Sequence, residues 1–170
     1  AMGARAPITL GLTPVLIEQL RLPTFQSGFQ GYLAERLRHA RADQADPSIR
    51  ALALHWEREI TALRDRFDAA NGDIVGALAA HARAGRIEIL SSFAAHGYAA
   101  LLKHDRAIRG QLQIGLDTSA KHLGFRPKGI WLPECSFRPG GPWKGPVLGV
   151  ERERQGVDRV LEECGVTHFF

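Results

Sequence analysis

Three short runs constrain this chain most: "RIEIL" at 86–90, "KGIWL" at 128–132 and "VTHFF" at 166–170. A helical stretch separates each from the next. A fourth candidate strand, Ile8–Leu10, comes before a long helix-rich segment. Strands that alternate with helices point to parallel α/β packing. Folds of that class place reactive side chains at the C-terminal ends of strands and in the loops that follow.

Cap and stop residues mark the helices. Thr13 caps a helix that has Pro14 at its first position. A second helix is expected from about Ser27, with Phe29, Leu33 and Leu37 as a stripe at four-residue spacing. Asp46 and Pro47 signal the start of a third, which carries Ile49, Leu52, Trp56, Ile60, Leu63 and Phe67 at helical spacing and ends at Asn71–Gly72. A short alanine-rich helix follows over Ile74–Ala82 and closes at Gly85. After "RIEIL", the segment "HGYAALLKHD" turns into a short helical piece. Asp105 is expected to cap a helix with Ile108, Leu112, Leu116 and Ala120 on one face, stopped by Gly124. Residues 133–149 read as one long Pro/Gly loop, and "GVDRVLEECG" as a last helix ended by Gly165.

The bulk numbers exclude several classes. With 170 residues the chain can bury a sizeable core, and 45% hydrophobic against 24% charged residues is ordinary for a globular protein. The net charge of +4 is spread along the chain, and only 8% of residues are aromatic. A nucleic-acid surface gathers its basic residues into a patch or stripe, so no nucleic-acid partner is expected. Two cysteines, Cys135 and Cys164, make no disulfide framework. No apolar run is long enough to cross a membrane, and "AMGARAPITL" lacks the apolar segment of a signal peptide. A cytoplasmic protein without a membrane partner is the expectation.

Glu134 is the first candidate for chemistry. It lies just past the strand "GIWL", behind Pro133, whose ring fixes its own φ and holds Leu132 extended. Trp131 supplies a flat ring for a ligand face. The alternative is a surface glutamate beside a core tryptophan. Glu88 sits between Ile87 and Ile89 within its strand, so it either faces water or is paired. In the loop after that strand, His96 and Tyr98 flank Gly97; a histidine there serves as a hydrogen-bond donor or as an acid or base, or is structural. Cys135 is either a nucleophile with a histidine base or a small buried residue under the loop. The histidines show no tight ligand spacing, and "RPGGPWKG" does not follow the phosphate-loop order, so neither metal nor cofactor is expected.

These residues carry a resemblance. "GIWLPECSFRPGGPW", residues 129–143, is similar to the third motif of the family 57 glycoside hydrolases. "GRIEILSSFAAHGYAALL", residues 85–102, resembles their second motif and its continuation, and "ITLGLTPVLIEQL", residues 8–20, the region after their first strands. Within the family the likeness is to the glucan branching enzymes and runs over nearly the whole chain. It implies part of an incomplete seven-stranded (β/α) barrel, helix-rich over 12–84 and motif-bearing over 85–170. It implies Glu134 as the catalytic nucleophile, with His96, Trp131 and Cys135 at the substrate and Glu88 and Tyr98 in support. The expected reaction is retaining transfer that makes α-1,6 branches in an α-1,4-glucan. The alternatives are a 4-α-glucanotransferase or α-amylase of the same family, or a non-catalytic glucan-binding or regulatory module.

Two departures from the family pattern qualify this. The family's first motif, which contains histidine, would fall before residue 1. Its general acid is an aspartate in a fourth motif, and none of Asp43, Asp46, Asp65, Asp68, Asp73, Asp105, Asp117 or Asp158 stands in the matching context. The resemblance therefore implies a part of the catalytic domain, inactive alone, whose open sheet edges are covered by the rest of the enzyme or by a second copy.

Overall fold

A computed structural model describes residues 8–145, 147, 149 and 151–170. The chain divides into two compact units, one made of 1–18 with 79–170 and the other of 19–78.

The first unit is built on parallel strands. β1 (Ile8–Gly11) pairs with β2 (Ile87–Leu90) in parallel, Thr9 opposite Glu88 and Gly11 opposite Leu90. β3 (Gly129–Ile130) pairs in parallel with β6 (His168–Phe169). A parallel bridge between Ser91 and Ile130 joins the two pairs, with Ser91 N–H donating to the Gly129 carbonyl and Trp131 N–H to the Ser91 carbonyl. The order is β1–β2–β3–β6, all parallel, as the alternation of strands and helices predicts.

One face of these strands packs on helices. α5 (Asp105–Leu123) buries Ile108, Leu112 and Leu116, the face expected from its spacing, and α6 (Val157–Glu163) buries Val157, Val160 and Leu161. Both enclose Phe93, Ile130 and Leu132 in one core. Full burial of each such side chain contributes roughly 1.5–3 kcal/mol. Gly124 ends α5 in the left-handed conformation, as expected. Asp105 is not its cap. His104 holds that place with no side-chain cap bond, and the Asp105 carboxylate, one residue later, turns to arginines instead.

Gly115 sets how closely α5 approaches the strand end. Ser91 Oγ lies 2.8 Å from Ser119 Oγ and donates to the Gly115 carbonyl at 3.3 Å, all three residues buried. A Cβ on Gly115 would overlap the Ser92 carbonyl oxygen, which is backbone and cannot rotate away. Gly115→Ala is therefore expected to destabilise the fold by about 2–3 kcal/mol, the upper range for overpacking. Denaturant unfolding measures this, and an unchanged midpoint would mean that the helix can back away freely.

Two sequence expectations fail in the second unit. α2 (Pro23–Ala42) starts four residues before Ser27, with Pro23 at its first position behind an extended Leu22; Ser27 Oγ donates to the Pro23 carbonyl from inside the helix. α3 (Arg50–Ala69) starts after Pro47, because Asp46 Oδ1 accepts Ser48 N–H at 2.8 Å and Ser48 Oγ at 2.7 Å, closing a turn ahead of the helix. The helices join through a 3-10 turn, Asp43–Ala45. Leu33, Leu37 and Phe67 are buried, with Phe29 edge-on to Phe67 at 5.0 Å. Leu52, Trp56 and Leu63 are not; with Tyr32 they wall an open groove of about 470 Å³. α1 (Pro14–Arg21) and α4 (Ile74–Arg83) match their predicted starts, and Thr13 Oγ1 accepts Leu16 N–H at 3.3 Å.

The long Pro/Gly loop is more than a loop. It opens with a 3-10 turn, Pro133–Cys135, and contains β4 (Gly141–Lys144), which pairs antiparallel with β5 (Glu151–Arg154). Trp143 pins this hairpin: its Nε1 donates to the Ala100 carbonyl at 3.2 Å, and the guanidiniums of Arg154 and Arg152 lie 4.7 and 5.4 Å from its ring centroid. Pro146, Leu148 and Val150, part of the predicted loop or just beyond it, lie outside the described residues, as do the first seven residues.

Candidate active site

Glu134 follows β3 by four residues, at the C-terminal end of the strand. Leu132 is extended, as Pro133 requires, and Pro133 is buried. The chain then turns sharply. Glu134 has φ 53° and ψ 30°, and Cys135 has φ 52°. Left-handed backbone costs a non-glycine residue about 1–2 kcal/mol, yet two successive residues adopt it. Cys135 N–H donates to the Leu132 carbonyl and Ser136 N–H to the Pro133 carbonyl, so hydrogen bonds hold the turn. Its effect is to lift the Glu134 carboxylate clear of the protein; the side chain is 72% exposed.

His96 meets it. His96 Nε2 lies 3.5 Å from Glu134 Oε1, and His96 is also left-handed, at φ 55°. Among the described residues only Asn71, at a helix end, shares that non-glycine conformation with these three. Strained residues gather at functional sites more than elsewhere. An exposed pair at this distance adds little stability, so its placement matters more than its energy. The loop before His96 is fastened to α5: Ala94 N–H donates to the Gln111 carbonyl, and Ala95 N–H to Gln111 Oε1 at 2.8 Å. On its far side, Ala99 N–H donates to Ser136 Oγ at 2.8 Å, which ties this loop to the turn that carries Glu134.

Trp131 is half-exposed and stacks on Phe170 at 6.4 Å with 17° between the rings. It is not the core tryptophan of the alternative reading. With His96 it walls a cavity of about 250 Å³, completed by Gly11, Leu12, Thr13, Ser91 and Ser92. Cys135 does not line that cavity, and it is exposed, not buried under the loop. Tyr98 is also exposed, at the start of the 3-10 turn Ala99–Leu101. Glu88 proves to be both wet and paired: its Oε1 lies 2.8 Å from His168 Nε2, and its Oε2 accepts Thr9 Oγ1 at 3.2 Å. The structure thus gathers Glu134, His96 and Trp131 at one strand end and sets Glu88 lower on the sheet. His168 escaped the sequence reading, since only strand register brings it near Glu88. Among the described residues no group of three His, Cys, Asp or Glu side chains is arranged to hold a metal.

A carboxylate on a rigid strand end, a histidine beside it and an indole platform suit carbohydrate chemistry. A model of glycosyl hydrolase family 57 matches residues 21–170. The chain belongs to this family. A 1,4-alpha-glucan branching enzyme of Thermococcus kodakarensis is 39% identical over 99% of this chain and 25% of its own length. Among solved structures, a GH57-type branching enzyme of Pyrococcus horikoshii superposes with a TM-score of 0.91 at 33% identity, over 99% of this chain and 32% of that one. The alpha-amylase AmyC of Thermotoga maritima gives a TM-score of 0.81 at 22% identity, over 98% and 30%, a likeness of fold alone. The chain thus spans a quarter to a third of the length of these proteins.

Proposed function

We propose that this chain forms the nucleophile-bearing part of a retaining α-1,4-glucan branching enzyme, the parallel strands β1, β2, β3 and β6 belonging to an incomplete seven-stranded barrel. The observation that carries the reading is the left-handed turn that presents Glu134 at the end of β3, 3.5 Å from His96 and beside the exposed Trp131. Identity to branching enzymes over nearly the whole chain supports it.

The chemistry has two steps. A Glu134 oxygen attacks the anomeric carbon of an α-1,4-linked glucose. The bond from that carbon to the glycosidic oxygen breaks, and the oxygen leaves with a proton from a partner acid. Retention needs that acid about 5–5.5 Å from Glu134, and it is not assigned to any aspartate of this chain. An acceptor 6-hydroxyl then attacks the same carbon, loses its proton to the partner carboxylate and frees Glu134. His96 donates to a sugar hydroxyl, and Trp131 stacks on a sugar face. Tyr98 and Cys135 belong to the rim of the site.

Trapping with a fluorinated activated glycosyl fluoride tests the reading in the full-length protein. Peptide mapping is expected to find the sugar on Glu134, and linkage analysis new α-1,6 bonds. An adduct on another carboxylate removes the nucleophile assignment. Products with only new α-1,4 bonds, or only free reducing sugars, replace branching by glucanotransfer or hydrolysis.

A further inference from the structure

Side chains that alternate on one face of the parallel strands form three levels. Thr9 and Glu88 are in register at the lowest. Above them Gly11 and Leu90 are opposite each other, as are Gly129 and His168. Ser91 bridges Ile130, which pairs with Phe169, so the next level on this face brings Trp131 beside Phe170. The opposite face carries Ile130 and Leu132 into the helical core.

On this patterned face His168 does something unusual. Its ring reaches past β3 to Glu88 on β2, at 2.8 Å. It can do so because β3 has no side chain there. A Cβ on Gly129 would overlap both His168 Nε2 and Leu90 Cδ2. His168 Nδ1 lies 3.0 Å from Thr167 Oγ1, so both ring nitrogens are engaged and the ring plane is fixed. That plane stands edge-on to Phe170, 6.4 Å away at 87°, and Phe170 in turn stacks on Trp131. Backbone bonds support the same contact: Phe170 N–H donates to the Ile130 carbonyl, and Leu132 N–H to the Phe170 carbonyl.

We infer that His168 is a positioning residue: anchored on Glu88 through the gap at Gly129, it holds Phe170 against Trp131 and so fixes the indole as a sugar platform beside Glu134. A pair that served only to stabilise the sheet would leave the indole indifferent to it. The sugar part of the inference rests on the proposed glucan chemistry; the positioning part does not.

The test uses the full-length protein with 5-fluorotryptophan, the Trp131 resonance being assigned by its loss in Trp131→Phe. His168→Ala is expected to shift and broaden that resonance while those of Trp56 and Trp143 stay in place. The KM for α-glucan should rise about tenfold, the scale of one aromatic contact, with kcat within about twofold. His168→Gln, whose amide can still donate to Glu88, should recover much of both effects. An unmoved Trp131 resonance in His168→Ala overturns the inference, as does a parallel change at Trp56, Trp131 and Trp143. Should the unsubstituted protein turn over no α-glucan, the functional proposal fails, and the fluorine spectrum still decides the role of His168.

Discussion

If the proposed function holds, replacing Glu134 with glutamine in the full-length protein is expected to lower kcat for glucan transfer by on the order of 10⁴-fold or more, the scale of losing a catalytic nucleophile. Stability is expected to stay within about 0.5 kcal/mol, as for most surface substitutions. The separation follows from the geometry. The Glu134 side chain is 72% exposed, and its ion-pair contact is an exposed histidine at 3.5 Å. An isosteric amide therefore leaves the fold with nothing to lose, while an amide oxygen cannot form the glycosyl ester. Glu134→Gly sharpens the point. It is also expected to abolish transfer, but it removes the Cβ that opposes φ 53°, so it should raise stability by about 1 kcal/mol. A variant that is inactive and more stable is the mark of a strained site residue. If glycine here proves neutral or destabilising in denaturant unfolding, the turn is not storing strain.

How much of this was legible in the sequence depended on range. Glu134, Pro133 and Trp131 are consecutive or nearly so, and a strand end followed by proline already places a carboxylate where parallel α/β proteins react. His96 was legible as a residue of the loop after a strand. Helix stops were plain where glycine takes a left-handed φ, as at Gly124 and Gly165. Starts were less plain. Ser27 and Asp46 have the chemistry of caps, yet each spends its hydrogen bonds within a turn, the serine inside a helix and the aspartate ahead of one. The hairpin of β4 and β5 was invisible because "GPWK" and "ERER" show no apolar alternation; Trp143 and Arg154 hold it by contacts to residues far away in sequence. His168 was missed for the same reason. Its link to Glu88 needs a strand register, and it needs the empty place at Gly129, which looks like any other glycine until the strands are assembled.

Long-range polar contact also underlies the largest stability effect expected, from Asp105→Ala. The Asp105 carboxylate joins three segments. Its Oδ1 accepts Arg154 Nε at 2.9 Å and Arg154 Nη2 at 2.6 Å from the hairpin, and Arg138 Nη2 lies 3.5 Å away in the loop after Glu134. Its Oδ2 accepts Gln155 N–H at 3.4 Å. The Arg154 side chain is 1% exposed. Removing Asp105 leaves that guanidinium buried with the Leu102 carbonyl and the Trp143 ring for company. Breaking a buried pair in this way costs about 3–5 kcal/mol, so the unfolding midpoint should fall well below that of the unchanged protein. The same carboxylate gives the fold an acid limit. Burial alone would raise its pKa, but the hydrogen bonds from Arg154 and Gln155 N–H, with the charges of Arg154 and Arg138, outweigh it and hold the carboxyl below its ordinary value. The bound proton is thus disfavoured in the folded state. Its contribution is complete above the unfolded pKa, about 3.9, and is lost as the pH falls from there through the depressed folded value. In Asp105→Ala that acid-dependent component of stability should be missing. Unfolding curves of the two proteins at pH 7 and pH 3 measure it: the gap between them narrows in acid. A gap that stays constant or widens would mean that the arginines do not depend on the Asp105 charge.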